Sequence, residues 1–344
     1  MSLRVLVTGA AGQDGAYLCR DLLAAGCTVH AGLRPDWSDD SLWRLRELGL
    51  LGRPQLRLLA LDVRDAAACS AAVEQVRPQQ LFHLAAISSV AQALADPLGA
   101  VASNGDGTLY LLEALRRHAS DGRFVLASSG EIFVPRHGVV DEGCALRARH
   151  PYALSKLLAH TAVRCYRDSY GLHASAAILF NHESPLRGAA FVTRKIAAAA
   201  ARRAAGDKTV LQLGNLDAQR DFGYAPDYVA GLRALAALEQ PDDLVFASGQ
   251  SATVRAFATA AYAAAGIALD WHGRGRDEYA LDRRDGQHCI AVDAALFRPA
   301  DAPVLRGDPT RARRKLGFVN SVDLAGLARL QVDAERYRLG SSSA

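Results

Sequence analysis

The chain has 344 residues, 50% hydrophobic and 22% charged, which is enough apolar material for a large core and excludes disorder by composition. Forty Lys and Arg against 36 Asp and Glu leave a formal charge of +4. That is too little to argue for nucleic acid, but it suits an anionic small molecule met by a local basic cluster. No apolar run approaches the roughly 20 residues of a membrane span. The start, MSLRVLVTGAAG, lacks the h-region and cleavage site of a signal peptide. The six cysteines, at 19, 27, 69, 144, 165 and 289, form no C-x-x-C pair and no zinc spacing. A cytoplasmic protein with reduced thiols and no metal is expected.

In chain order, Leu3–Thr8 is a Val-rich apolar run followed by a glycine turn and a helical stretch at Ala16–Ala25. Strand-type runs recur at Thr28–Leu33, Gln55–Leu61, Leu81–Ala86, Arg123–Ser128 and Ala174–Phe180, with helical patterns at 65–76, 98–118 and 151–170 between them. Strands alternating with helices predict right-handed crossovers, hence an α/β fold with a Rossmann-type doubly wound parallel sheet. Beyond residue 181 the alternation gives way to Arg/Asp-rich loops, with helices expected at 191–205, 227–238, 253–265 and 321–336 and strands at 209–213 and 244–247. Residues 1–180 read as a dinucleotide-binding domain. Residues 181–344 read mainly as a smaller C-terminal substrate-binding lobe, with segments near 209–250 returning to the sheet.

The turn Thr8–Gly15 carries glycines at Gly9, Gly12 and Gly15, spaced G-x-x-G-x-x-G. After a strand and before a helix, such glycines let backbone N–H groups approach a pyrophosphate at a helix N-terminus. Gln13 and Asp14 lie in the same turn. About 20 residues on, the second strand ends at Arg34 rather than at a carboxylate. Arginine there accommodates a 2′-phosphate, favouring NADP over NAD, although a solvated charge is the alternative. Asp62-Val63 follows the third strand, placed either for the adenine edge or, in the case of Asp62, to cap the next helix.

Tyr152 and Lys156 are four apart in a helix opened by Pro151, so both lie on one face. An ammonium beside a phenol lowers its pKa, and the pair suits proton removal from a sugar hydroxyl as hydride leaves the same carbon. Ser129 and Glu131 end the fifth strand, where a parallel sheet opens its ligand crevice. Ser129 can donate to a developing oxyanion and Glu131 can act as acid or base; the alternative is a strand terminus followed by a solvated charge.

These residues resemble a known family. TGAAGQDGAYL (8–18), YALSK (152–156), LFNHESPLRG (179–188), FVTRKI (191–196), LGNLDAQRDFGYAPDYV (213–229) and the FRPAD and RGDPTRARRKLGF strings within 297–318 span nearly the whole chain. They resemble extended short-chain dehydrogenase/reductases acting on nucleotide sugars, more narrowly the GDP-mannose 4,6-dehydratase family. The resemblance implies Ser129, Glu131, Tyr152 and Lys156 as catalytic residues. It implies cofactor contacts from Leu84, Ala86, Ser88, His182 and Arg187 as well as the glycine turn. It also implies a GDP-sugar site lined by Ser88, Ser129, Asn181, Val192, Lys195, Asn215, Arg220, Arg298 and Asp301. The implied reaction oxidises C4, removes the C5 proton, loses water from C6 and returns hydride to C6.

Departures from the family pattern accompany it. The segment after the fifth strand reads Ser129-Gly130-Glu131-Ile132-Phe133-Val134, and Gly130 is expected to widen the pocket. Ile87 stands where the family has an amide, Asp301 where it has Glu, and the paired arginines and serines are largely missing around Pro35–Asp40. A modified or longer GDP-sugar is therefore a candidate substrate, and a homodimer is expected, with a tetramer as the alternative. A C4 epimerase or 4-keto reductase, and a non-catalytic nucleotide sensor, remain the competing readings.

Overall fold

The computed structural model describes residues 2–297 and 306–341. Seven parallel strands form the central sheet: β1 (Arg4–Thr8), β2 (Thr28–Leu33), β3 (Leu56–Ala60), β4 (Gln80–His83), β5 (Arg123–Ser129), β6 (Ala174–Leu179) and β7 (Asp243–Phe246). Their spatial order is β3-β2-β1-β4-β5-β6-β7, every neighbouring pair parallel. Direction of winding therefore reverses between β1 and β4, which opens a crevice at their carboxyl ends. Successive residues serve opposite faces. Val5, Val7, Val125 and Ala127 pack with the helices Gln13–Ala24 and Ala225–Ala237, whereas Leu6, Phe124 and Leu126 pack with Ala66–Val76, Gly107–His118 and Pro151–Tyr170. Burial on both faces explains the unbroken apolar strands.

Three local differences from the sequence expectation bear on the site. The first helix begins at Gln13, not Ala16. Gly15 lies in its first turn because a Cβ there would sit 2.2 Å from the Gly9 carbonyl oxygen, so close packing overrides glycine's poor helix propensity. β4 ends at His83 rather than Ala86 because the Thr8 side chain takes over as partner: its Oγ1 accepts from Ala85 N–H at 3.2 Å. The single helix expected at 98–118 is instead a short helix (Pro97–Ala100), a π-helical turn (Val101–Asp106) and a helix (Gly107–His118).

A second core gathers the helices Val192–Ala204, Val254–Ala264 and Leu324–Ser341. Beside them lies a four-stranded sheet ordered Leu269–His272, Tyr279–Asp282, His288–Val292 and Leu211–Leu213. Asp243–Phe246 thus belongs to the parallel sheet, while Leu211–Leu213 pairs with His288–Val292 in the other. Asn181–Glu183, just after β6, pairs in parallel with Phe222–Tyr224. No described helix is long and apolar enough to cross a membrane.

Candidate active site

The glycine turn is shaped by close approach. Gly9 has φ +70°, and a Cβ on it would lie 2.6 Å from Ala85 N, so the loops after β1 and β4 touch and only glycine fits. Gly12 caps the first helix without a side-chain hydrogen bond, leaving the first-turn N–H groups and the positive helix end for an anion. This cradle, which a Cβ would fill, fits a dinucleotide pyrophosphate. Arg34 is exposed at the end of β2, 3.7 Å from Asp36. Asp62 is held by Arg64 at 2.6 Å, and the next helix is capped by Asp65 instead. Val63 is buried, Leu84 and Ala86 are half-buried, and Ser88 is exposed.

Gln13, Asp14 and His182 form a buried clasp between the first helix and the strand Asn181–Glu183. Gln13 Nε2 donates to the His182 carbonyl at 3.1 Å, and Ser184 Oγ donates to Gln13 Oε1 at 2.8 Å. His182 bonds the Phe180 carbonyl through Nδ1 (2.7 Å) and Asp14 through Nε2 (2.8 Å). Both partners accept, so both ring nitrogens carry hydrogen and the ring is an imidazolium, stacked 4.5 Å from Tyr228. Burial opposes the charges, but their mutual attraction outweighs it: Asp14 lies below and His182 above its ordinary pKa.

Catalytic candidates converge where β5 ends. Ser129 Oγ accepts from Glu131 N–H at 3.2 Å, closing the short turn Gly130–Ile132. Tyr152 and Lys156 project from Pro151–Tyr170, a helix started by Pro at its first position and stopped at Gly171 with φ +67°. Burial pushes the Tyr152 phenol up to about 12; the Ser129 hydroxyl and Arg187 pull it down, and Glu131 raises it. Lys156 Nζ donates to the Ala127 carbonyl at 2.8 Å, and burial brings the ammonium down to about 8. Glu131 is half-buried, and against that desolvation the His150 imidazole and the charges of Arg220 and Arg149 hold it below the usual carboxylate range.

The expected widening at Gly130 is overturned. A Cβ there would lie 2.6 Å from the Phe180 ring, which already fills the space, and Phe180 is 5% exposed.

On the other side of β5's end a cleft of about 260 Å³ is lined by Asn181, Arg187, Phe191, Val192, Asn215 and Arg220. Five of these six are residues the sequence reading placed at a sugar nucleotide or cofactor. Arg187 pairs with Glu183 at 3.0 Å and lies 3.7 Å over the Phe191 ring. Arg220 Nη1 donates to the Gln219 carbonyl. Asp217 pairs with Arg255 at 2.6 Å, and Asp221 accepts from the backbone at 248, 249 and 307. Lys195 is exposed on the Val192–Ala204 helix and does not line the cleft. Arg298 and Asp301 lie outside the described residues. A larger cleft of about 370 Å³ involves Asp217, Arg255, Arg274 and Glu278, whose charges balance and offer nothing to a diphosphate.

Three residues escaped the sequence reading. Asn104, in the π turn, accepts from Ile87 N–H (2.8 Å) and donates to Ile87 O (3.1 Å) and to Ser155 Oγ (2.9 Å). Ser155 in turn donates to the Tyr152 carbonyl at 2.8 Å. The Asn-Gly-Asp-Gly run at 104–107, poor helix formers inside a helical pattern, was the available signal. Arg44 reaches the glycine turn, donating to Ala11 O at 3.0 Å and to Leu186 O at 2.7 Å. His150 sits at the N-cap of the helix Pro151–Tyr170, a position readable from the proline that follows.

The chain is similar to known proteins over nearly its whole length. A GDP-mannose 4,6 dehydratase family model matches residues 6–330. The GDP-mannose 4,6-dehydratase of Sinorhizobium fredii is 39% identical over 331 residues, covering 94% of this chain and 93% of its own. Thermus thermophilus UDP-glucose 4-epimerase, solved with NAD, is 26% identical with a TM-score of 0.78, covering 97% of this chain and 99% of that one. The RMD protein of Pseudomonas aeruginosa, solved with NADPH, shares the fold at 22% identity and TM-score 0.75, covering 98% and 100%. With cradle, clasp and cleft in these positions, the chain belongs to the GDP-mannose 4,6-dehydratase family.

Proposed function

We propose that the protein is an NADP-dependent GDP-sugar 4,6-dehydratase, a hydro-lyase, with GDP-mannose or a modified or longer GDP-sugar as substrate. One observation carries this reading: Arg187 and Arg220 line the cleft and also act electrostatically on Tyr152 and Glu131. The diphosphate-binding charges and the proton-moving groups therefore form one site. The nucleotide cofactor is assigned to residues 1–180, with Gly9, Gly12, Gln13, Asp14 and Gly15 around its pyrophosphate and Arg34 toward a 2′-phosphate; NAD is the alternative. Asn181, Val192, Asn215 and Arg220 are assigned to the GDP-sugar.

When bound, NADP supplies the reversible hydride acceptor for oxidation at C4 and reduction at C6. Tyr152 takes the C4 hydroxyl proton, with Arg187 and the Ser129 hydroxyl favouring phenolate against burial, and hands it to C5 when C6 is reduced, so that the phenolate is restored and one water is the net loss. The C4 ketone acidifies the neighbouring C5–H. Glu131, held ionised, removes that proton and returns it to the C6 hydroxyl, which leaves as water. Ser129 donates to the developing C4 oxyanion. The buried Asn104–Ser155 bonds hold the first turn of the catalytic helix in place.

A cytoplasmic homodimer is part of the proposal, with a tetramer as the alternative. Leu94, Leu98 and Leu154, 50%, 83% and 52% exposed, give the helices around 90–100 and 151–170 an apolar surface of the kind that subunit contacts cover. Incubating purified protein with GDP-mannose and weighing the product tests the reaction: loss of one water is expected. An isomer of unchanged mass would move the assignment to a C4 epimerase, and no turnover of any GDP-sugar would defeat both.

A further inference from the structure

We propose that His150 is a positioning residue for Glu131, locked at the N-terminus of the catalytic helix and presenting its remaining N–H to the carboxylate. The inference rests on the reading above, in which Glu131 moves the C5 proton.

The geometry assigns the tautomer. His150 Nδ1 lies 3.2 Å from the Ala153 backbone nitrogen. That amide can only donate, so Nδ1 is the acceptor and the neutral ring carries its hydrogen on Nε2. Nε2 lies 3.5 Å from Glu131 Oε2, longer than an ordinary N–H···O bond but close enough for the ring dipole to attract the anion. The imidazole lies nearly parallel to the Tyr152 ring, 6.2 Å away and 14° from coplanar. Both side chains are largely shielded, 21% and 18% exposed, so water does not readily replace the contact. Other groups face Glu131 from their own elements: Ser129 through its hydroxyl, Tyr152 from the helix, Arg149 from the preceding segment and Arg220 from the strand Gln219–Arg220. The arginines supply charge; His150 supplies direction. A carboxylate that takes a proton from C5 and hands it to the C6 oxygen must keep one orientation between the two. Anchoring Oε2 assigns the transferred proton to Oε1. Because the same ring caps the helix carrying Tyr152 and Lys156, one residue registers both proton-moving groups against each other.

Capping and donation can be separated. His150→Asn keeps an N-cap acceptor but is too short to reach Glu131, whereas His150→Ala loses both. For His150→Asn, native thermal stability and native GDP affinity are expected. Its kcat should fall about 10-fold with KM within about twofold, and the acid limb of the kcat–pH profile should move up by about one pH unit as Glu131 loses its donor. Native kcat and an unmoved limb in His150→Asn would overturn the proposal. Failure of the unmodified protein to release water from GDP-mannose would instead defeat the dehydratase reading. The positioning role is then decided by carbon-13 NMR titration of Glu131, assigned with Glu131→Gln. An upward shift of its pKa in His150→Asn supports the role, and an unchanged pKa refutes it.

Discussion

Substituting alanine for Gly130 is expected to disturb the fold and the site together. The added Cβ would meet three Phe180 ring carbons at 2.6, 2.7 and 3.1 Å. To restore van der Waals contact the ring must retreat by about 0.8 Å. It has nowhere to go. Gly307 is also so close that a Cβ there would lie 2.8 Å from the same ring, and Ile132, Ile178, Val245 and Ala247 share its buried cluster. Overpacking of such a site costs about 2–3 kcal/mol. Because Gly130 precedes Glu131 in a three-residue turn, the backbone that yields is the one carrying the acid/base, and a misplacement near 1 Å costs about 100-fold in kcat. Phe180→Leu alone should cost about 1–2 kcal/mol. In that background Gly130→Ala should cost at least about 1 kcal/mol less than in the native protein, since the two positions touch. Urea unfolding followed by far-UV circular dichroism, and by the fluorescence of Trp37 and Trp43 in the nucleotide half, measures both. A Gly130→Ala variant within about 0.5 kcal/mol of native, or strictly additive costs, would refute the argument. The space beside Glu131 would then be open, as the sequence suggested.

Asn104→Ala should strip partners from Ile87 N–H, Ile87 O and the buried Ser155 hydroxyl, a loss of about 2–3 kcal/mol at roughly 1 kcal/mol per bond, read by the same unfolding assay; a loss below about 0.5 kcal/mol would mean the π turn is held by other contacts. Asp14→Asn breaks the clasp and should cost about 3 kcal/mol where both charges are present. The sign follows from the two shifts. His182, raised from 6.5, contributes fully below that pH and loses its contribution as pH climbs through its folded pKa. Asp14, lowered from 3.8, contributes fully above that pH and loses its contribution as pH falls through its folded pKa. The gap in thermal midpoint between native and Asp14→Asn should therefore be widest between about pH 4 and 6.5 and shrink on both sides; a gap that keeps widening above pH 8 would contradict the imidazolium.

Much of this molecule was written in short stretches of chain. The catalytic helix reads from Pro151 to Tyr170 because a proline starts it and Gly171 ends it, both signals carried within a few residues. β2 coincides with the Thr28–Leu33 run, and the glycine turn suggests a phosphate cradle by its place between the first strand and the first helix. Helix spacing and a strand end marked Tyr152 and Glu131 as candidates, and long strings shared with a nucleotide-sugar family added Arg187 and Arg220.

What those strings could not hold was set by residues far apart in sequence. Asp14 and His182 are 168 positions apart, and only folding brings them close enough for each to hold the other charged against burial. Gly130 promises room in the sequence and gives none, since the ring of Phe180, just past the end of β6, takes it. Lys156 shares a helix face with Tyr152, and its ammonium donates to the Ala127 carbonyl, while burial is the largest influence on the phenol. Spacing along a helix specifies which side chains share a face. Where their polar ends point, and how far their pKa values move, depends on the neighbours and the dielectric that tertiary packing brings.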